Sequence, residues 1–250
     1  MNSIRNSLQV LPMIIVLNYS ILANDFSASA ILDSMMTTMQ SVSSIGKIEQ
    51  EIISSGNIKR VFTFEYFSDN YGGNILIRYI KPRKVKNNAF LIKNNGDEIW
   101  IYFPRTRRVR KLASHAKKQK AQGSDFSYED FSGSKKWETD YHVKKEDSGE
   151  RITYLLTFTR KESSDVSYES QKIFVDKKSY YPHRIQYFKD GEHVKTLTFN
   201  DVIEIQGYPT AKSMIMENHI EKSQTQMRIL EMDYNFKFEE EFFTKRNLKK

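Results

Sequence analysis

From residue 60 almost to the C-terminus, apolar and polar residues alternate with a period of two. The pattern appears in RVFTFEYF, NILIRYI, EIWIYF, RITYLLTFTR, VKTLTFNDVIEI and QMRILEMDYNFKF, among about eleven or twelve such segments. A period of two places successive side chains on opposite faces of a strand. Glycine- and asparagine-rich punctuation, including DNYGGN, KNNGDE, FKDGEH and IQGYP, separates the segments and predicts short hairpins. The expected fold is therefore mainly β. An antiparallel meander this long has to curl into a barrel, half-barrel or sandwich.

One segment departs from this pattern. In NDFSASAILDSMMTTMQSVSS, Ala28, Ile31, Leu32, Met35, Met36 and Met39 fall on one helical face. Asn24, Asp25 or Ser27 is the expected cap. A single amphipathic helix beside a curled sheet belongs inside the curl. Methionine is flexible and polarizable, so this face suits a surface that meets ligands of variable shape. Ile31, Leu32, Met35, Met36 and Met39 are accordingly expected to line an apolar cavity.

The first residues, MNSIRNSLQVLPMIIVLNYSILAND, combine Arg5 with a short apolar stretch and with Ile21 and Ala23, which fit the −3 and −1 positions of a cleavage site. The stretch is too short to span a membrane and predicts a secretory signal peptide over 1–23, with Ala30 as the alternative cleavage point. An uncleaved anchor is a second alternative. Residues 24–250 then form one exported domain, for which a bacterial periplasm is the natural setting. The chain contains no Cys, which excludes disulfides, Cys-ligated zinc, a thiol nucleophile and a lipid-modified Cys. Hydrophobic residues make up 39% of the chain, enough for a core.

Catalytic signals are weak. The five His form no HExxH pair, and there is no GxSxG, phosphate loop or EF-hand loop. No enzyme activity, cofactor or metal is expected. The positive charge is concentrated: residues 78–120 hold 14 Lys or Arg against 2 acids. Arg83, Lys84, Arg105, Arg107, Arg108, Arg110 and Lys111 are read as a docking surface for an anionic membrane or an acidic face of a membrane partner. The predicted export argues against nucleic acid.

The stretch GDEIWIYFPRTRRVRKLASHAKKQKAQGSDFSYEDF resembles the LolA-like outer membrane lipoprotein-sorting proteins. The match rests on Asp97, Trp100, Tyr102, Pro104, Arg107 and Arg110, followed by Gly123, Ser124, Asp125, Phe126, Ser127, Tyr128, Glu129 and Asp130. It extends to VKNNAFLIK, PHRIQYFKDGEHVKTLTF and FFTKRNL, and departs at KKQKAQ before Gly123. The resemblance implies a half-open, LolA/LolB-like unclosed barrel covering helices around an acyl-chain cavity. It also implies carriage of a lipid or lipoprotein between envelope membranes, with an inner-membrane RND/MMPL-type transporter as partner. The alternative is a non-transporting adaptor subunit of an envelope complex. On this reading Trp100, Tyr102, Phe126 and Phe131 join the lipid-binding set. Asp125 or Glu129 is expected to tie the GSDFSYED loop, as a flap, to Arg107, Arg108 or Arg110.

Overall fold

Twelve of the alternating segments become strands, and a thirteenth strand precedes them. The structure, a computed structural model, describes residues 26–250. The expected signal peptide at 1–23 lies outside the described residues. Helix α1 (Ala28–Met39) comes first, capped by Ser27, whose hydroxyl accepts from the Ala30 amide at 3.2 Å. The N-terminal half of the sheet comprises β1 (Ser44–Ile53), β2 (Lys59–Asp69), β3 (Asn74–Lys81), β4 (Ala89–Lys93), β5 (Glu98–Phe103) and β6 (Arg108–Lys111). Short helices α2 (Ser114–Lys117) and α3 (Trp137–Asp140) lie in the long connection that follows. The C-terminal half comprises β7 (Tyr141–Glu146), β8 (Thr153–Arg160), β9 (Ser170–Asp176), β10 (Pro182–Lys189), β11 (Glu192–Ile205), β12 (Tyr208–Asn218) and β13 (Ser223–Tyr234).

All thirteen strands form one antiparallel sheet, ordered β6-β5-β4-β3-β2-β1-β13-β12-β11-β10-β9-β8-β7. Each half is a plain meander. The halves meet where β1 pairs with β13 over ten positions, from Ser44 opposite Tyr234 to Ile53 opposite Gln224. The sheet does not close, because β6 and β7 are its two free edges. Two-residue turns at Asp190-Gly191 and Gln206-Gly207 have positive φ at both positions, the twist-matched hairpin geometry that their sequences predict.

The two faces bury different partners. On the concave face, Ile48, Phe64, Ile77, Ile92, Ile99, Leu156, Phe158, Ile173 and Ile185 join Ile31, Leu32 and Met35 of α1 in the main core. The convex face of β2–β6 carries a second cluster of Phe67, Leu76, Leu91 and Tyr102. The C-terminal tail covers it with Phe243 and Leu248. Trp100 packs against this outer cluster, with the Lys245 ammonium 3.8 Å from its ring centroid. A fully buried leucine in such a layer contributes through both transfer and packing. Leu248→Ala should therefore lower unfolding stability by about 2–5 kcal/mol in chemical denaturation.

Candidate functional site

The hollow of the sheet is not completely filled. A cavity of about 390 Å³ lies between the concave strands, α1 and the long connection. Ile48, Phe64, Ile185, Leu197, Phe199 and Met214 are part of its apolar wall. These residues come from both halves of the sheet, so the cavity depends on the pairing of β1 with β13. A packing defect holds at most a few waters, whereas ligand sites span about 300–1,000 Å³. One end of the cavity reaches the surface beside the β2–β3 turn, where Tyr71 is 49% exposed, near Ser41 and Tyr234. A few polar groups, Glu129, Asp130, Tyr141, Tyr168 and Gln171, line the other end.

That polar end is built by the GSDFSYED segment, which lies in the long connection between β6 and β7. Gly123 sits at φ +74°, and a Cβ there would meet the Arg60 guanidinium at 3.3 Å, so glycine answers both constraints. Arg60 in turn donates to the Gly123 carbonyl at 3.0 Å. Asp125, 1% exposed, accepts from Thr225 Oγ1 at 2.8 Å, Ser223 Oγ at 2.5 Å and Lys120 Nζ at 3.1 Å. Its own amide donates to Thr225 Oγ1 at 2.9 Å. Ser127 and Asp130 bond reciprocally, each amide donating to the other side chain. Asp130 also accepts from the Tyr168 hydroxyl at 3.0 Å and lies 3.4 Å from Lys195 Nζ. Glu129 accepts from the Ser167 amide and hydroxyl. Burial raises the Glu129 pKa despite these bonds, and the nearby Asp130 charge adds to the shift. On the inner side, Phe126 and Phe131 pack 5.7 Å apart, and Phe131 lies 5.3 Å from Phe90.

The structure redistributes the residues singled out in the sequence. Phe126, Phe131 and Met39 line the cavity. Ile31, Leu32 and Met35 are buried in the surrounding core, and Met36 packs on it half-buried, so the helix contributes one methionine rather than three to the wall. Trp100 and Tyr102 face the other way, into the outer cluster under the C-terminal tail, because Ile99 and Ile101 take the inward positions of β5. Neither Asp125 nor Glu129 pairs with Arg107, Arg108 or Arg110. Both are held by hydroxyl groups, and among the described residues Lys120 is the one cation within ion-pair distance of Asp125. GSDFSYED is thus an anchored plug, not a flap tied to the basic strand. Trp137, Tyr141 and Tyr168 were missed as cavity residues, and so were the inward residues of β10–β13. Alternation marks those inward sets as one face of each strand, but it does not say which face is concave. Among the described residues, no group of three His, Cys, Asp or Glu is placed to hold a metal. No helix there is long and apolar enough to cross a membrane.

Two outcomes test the plug. Thr225→Val removes the donor and acceptor that Asp125 uses inside the fold, and should cost about 1–3 kcal/mol while speeding proteolysis at Lys117–Lys120. The raised Glu129 pKa favours folding at low pH, and that contribution is lost as pH rises through the shifted value. Glu129→Gln should therefore gain stability relative to the parent as pH rises from about 4 to 7, read from urea midpoints.

A family model whose description reads "-like: Uncharacterized protein" matches residues 72–250, well over half of the chain. No curated protein matches it. Among solved structures, a Vibrio parahaemolyticus domain assigned to outer membrane lipoprotein sorting superposes with a TM-score of 0.80 at 24% identity, covering 88% of this chain and 97% of that one. A DUF1329 family protein from Desulfovibrio piger gives 0.78 at 23% identity, covering 89% and 99%. A LolA superfamily protein from Nitrosomonas europaea gives 0.72 at 17% identity, covering 89% and 99%. The chain belongs to the family whose model spans residues 72–250, and its fold is that of the LolA superfamily.

Proposed function

We propose that this protein is a periplasmic carrier that holds the acyl chain of a lipid or lipoprotein inside its curled sheet and passes it between envelope membranes. The observation that carries this reading is the cavity of about 390 Å³, apolar along its walls and open beside Tyr71. Hydrocarbon is favoured there because each methylene moved from water into an apolar site gains about 0.8 kcal/mol. The wall needs no directional partner for a chain, and the flexible Met39, Met214 and Met227 can adapt to its kinks. The fold shared with a lipoprotein-sorting domain supports the same reading. Export by the N-terminal signal peptide and exchange with an inner-membrane RND/MMPL-type transporter complete it.

The test is to fill the chamber without disturbing its frame. Met214 lines the cavity and is half-buried, so Met214→Trp adds volume where space exists. Solvent extraction and mass spectrometry of the purified parent protein should recover a bound lipid, and a fluorescent fatty-acid probe should bind at about one per chain. Met214→Trp should lose most of both signals while keeping its unfolding midpoint. A parent protein that yields no lipid and takes up no probe would favour the adaptor alternative.

A further inference from the structure

The antiparallel meander sorts its connections between two ends of the sheet. Turns 54–58, 82–88 and 104–107 lie side by side at one end, because β2, β3, β4 and β5 pair in sequence. The turn at 219–222 continues the same rim through the β1–β13 pairing. The turns at 70–73, 94–97 and 206–207 lie at the opposite end, with the cavity mouth at Tyr71.

The first rim has an unusual charge. Residues 54–60, 81–88 and 103–108 contain nine Lys or Arg and no Asp or Glu. Lys59 bonds to Glu51 at 2.7 Å and Arg60 holds the Gly123 carbonyl. No ion pair among the described residues engages Arg83, Lys84, Arg105, Arg107 or Arg108, and all five are exposed. The rest of the same rim reverses the sign. Residues 161–169 and 189–192 hold five acids and two Lys, while 219–222 carry one of each. Solubility alone would not segregate charge in this way, and an uncompensated cluster repels itself.

Apolar side chains protrude from the same rim. Ile58 is 67% exposed, Ile220 59% and Phe103 37%. Isolated exposed apolar residues are ordinary. These three differ in position, since each sits at or beside a hairpin tip next to the cations. Phe103 and Ile58 are separated by three strand spacings, about 14 Å along the rim. The pocket between Ile58 and Ile220 is lined by polar groups including Ser54, Asn57, His219 and Lys222, so the apolar tips stand apart rather than lining one apolar groove, which fits a deformable surface better than a rigid protein face.

We infer that the rim formed by turns 54–58, 82–88, 104–107 and 219–222 docks on a bilayer bearing anionic headgroups, with Ile58, Phe103 and Ile220 entering the interfacial layer. Guanidinium and ammonium groups contact phosphates within the roughly 8 Å reach of the field at physiological salt. The apolar tips supply a salt-resistant part of the attachment. The cavity mouth then faces away from the membrane, and the plug lies against it. This docking is independent of what fills the chamber.

The chain has no Cys, so a single introduced thiol can carry a reporter. Co-sedimentation should show stronger binding to vesicles containing phosphatidylglycerol than to pure phosphatidylcholine, weakening as salt rises. Combining Arg83→Glu, Arg105→Glu and Arg107→Glu should lower partitioning by at least about 100-fold, at roughly five-fold per lost cation. Ile58→Ser with Ile220→Ser should lower it by about ten-fold and remove the binding that persists at high salt. An environment-sensitive dye on Ile220→Cys should shift to the blue on anionic vesicles, while the same dye on Tyr71→Cys should not. Equal binding to both vesicle types, or no response to the charge changes, would overturn the inference. So would vesicle binding with no shift at position 220, and so would capture by an acidic protein surface without any vesicle binding. Probe uptake by the chamber, measured on the same variants, should stay at the parent level, which separates a failure here from a failure of the carrier reading.

Discussion

The pairing of β1 with β13 is the constraint on which the remaining architecture depends. It joins the two ends of the meander and so moves the break in the sheet to the middle of the sequence, between β6 and β7. Residues 112–140 have to cover that break. They have almost no ladder to join, since outside the named strands the segment makes one isolated bridge, Lys120 to Ser127. Side chains must therefore do what backbone pairing does elsewhere. Asp125 reaches Ser223 and Thr225 at the start of β13, Glu129 reaches Ser167, and Asp130 reaches Tyr168 and Lys195. The free edge β6 carries Arg108, Arg110 and Lys111, the kind of charged edge that discourages pairing with another chain.

The three carboxylates of the plug show how burial is made tolerable in different ways. Asp125 is surrounded by hydroxyl donors and a lysine that is itself shared with Glu221. Asp130 shares Lys195 with the Tyr168 hydroxyl, and burial beside that charge holds the phenol proton firmly. Glu129 has donors but, among the described residues, no cation within ion-pair distance, and burial raises its proton affinity. A loop fixed by so many directional contacts has one preferred seat. The chamber beneath it, walled by non-directional contacts, keeps room to adapt.

Much of this was legible in the sequence, for reasons that also explain what was not. Every alternating segment contributed a strand, and the helix began at Ser27, one of the three expected caps. The strand that went unread was β1, the seam itself. Its concave positions are Ser44, Gly46, Ile48, Gln50 and Ile52, of which only two are apolar, so its alternation is faint. The inversion at Trp100 and Tyr102 has a different cause. Alternation separates two faces, but both faces of β5 are apolar because the tail with Phe243 and Leu248 makes the convex side a second interior. The expected pairing of plug acids with nearby arginines failed because the real partners at Ser223 and Thr225 are about a hundred residues away. Local charge patterns carry no information about contacts at that separation.

The seam also bears on how the protein is made. Its partners, Ser44 to Ile53 and Gln224 to Tyr234, are separated by most of the chain. Closing so long a loop costs entropy before any of its contacts are gained, and folds dominated by such pairings form slowly. For a chain emerging N-terminus first, β1–β6 can pair as a meander, but β1 keeps one edge open until residue 234 is free. During that interval the concave apolar face has no opposite wall. The chamber is thus the last part of the molecule to acquire its shape, and a nascent chain would expose the same surface that the finished protein encloses.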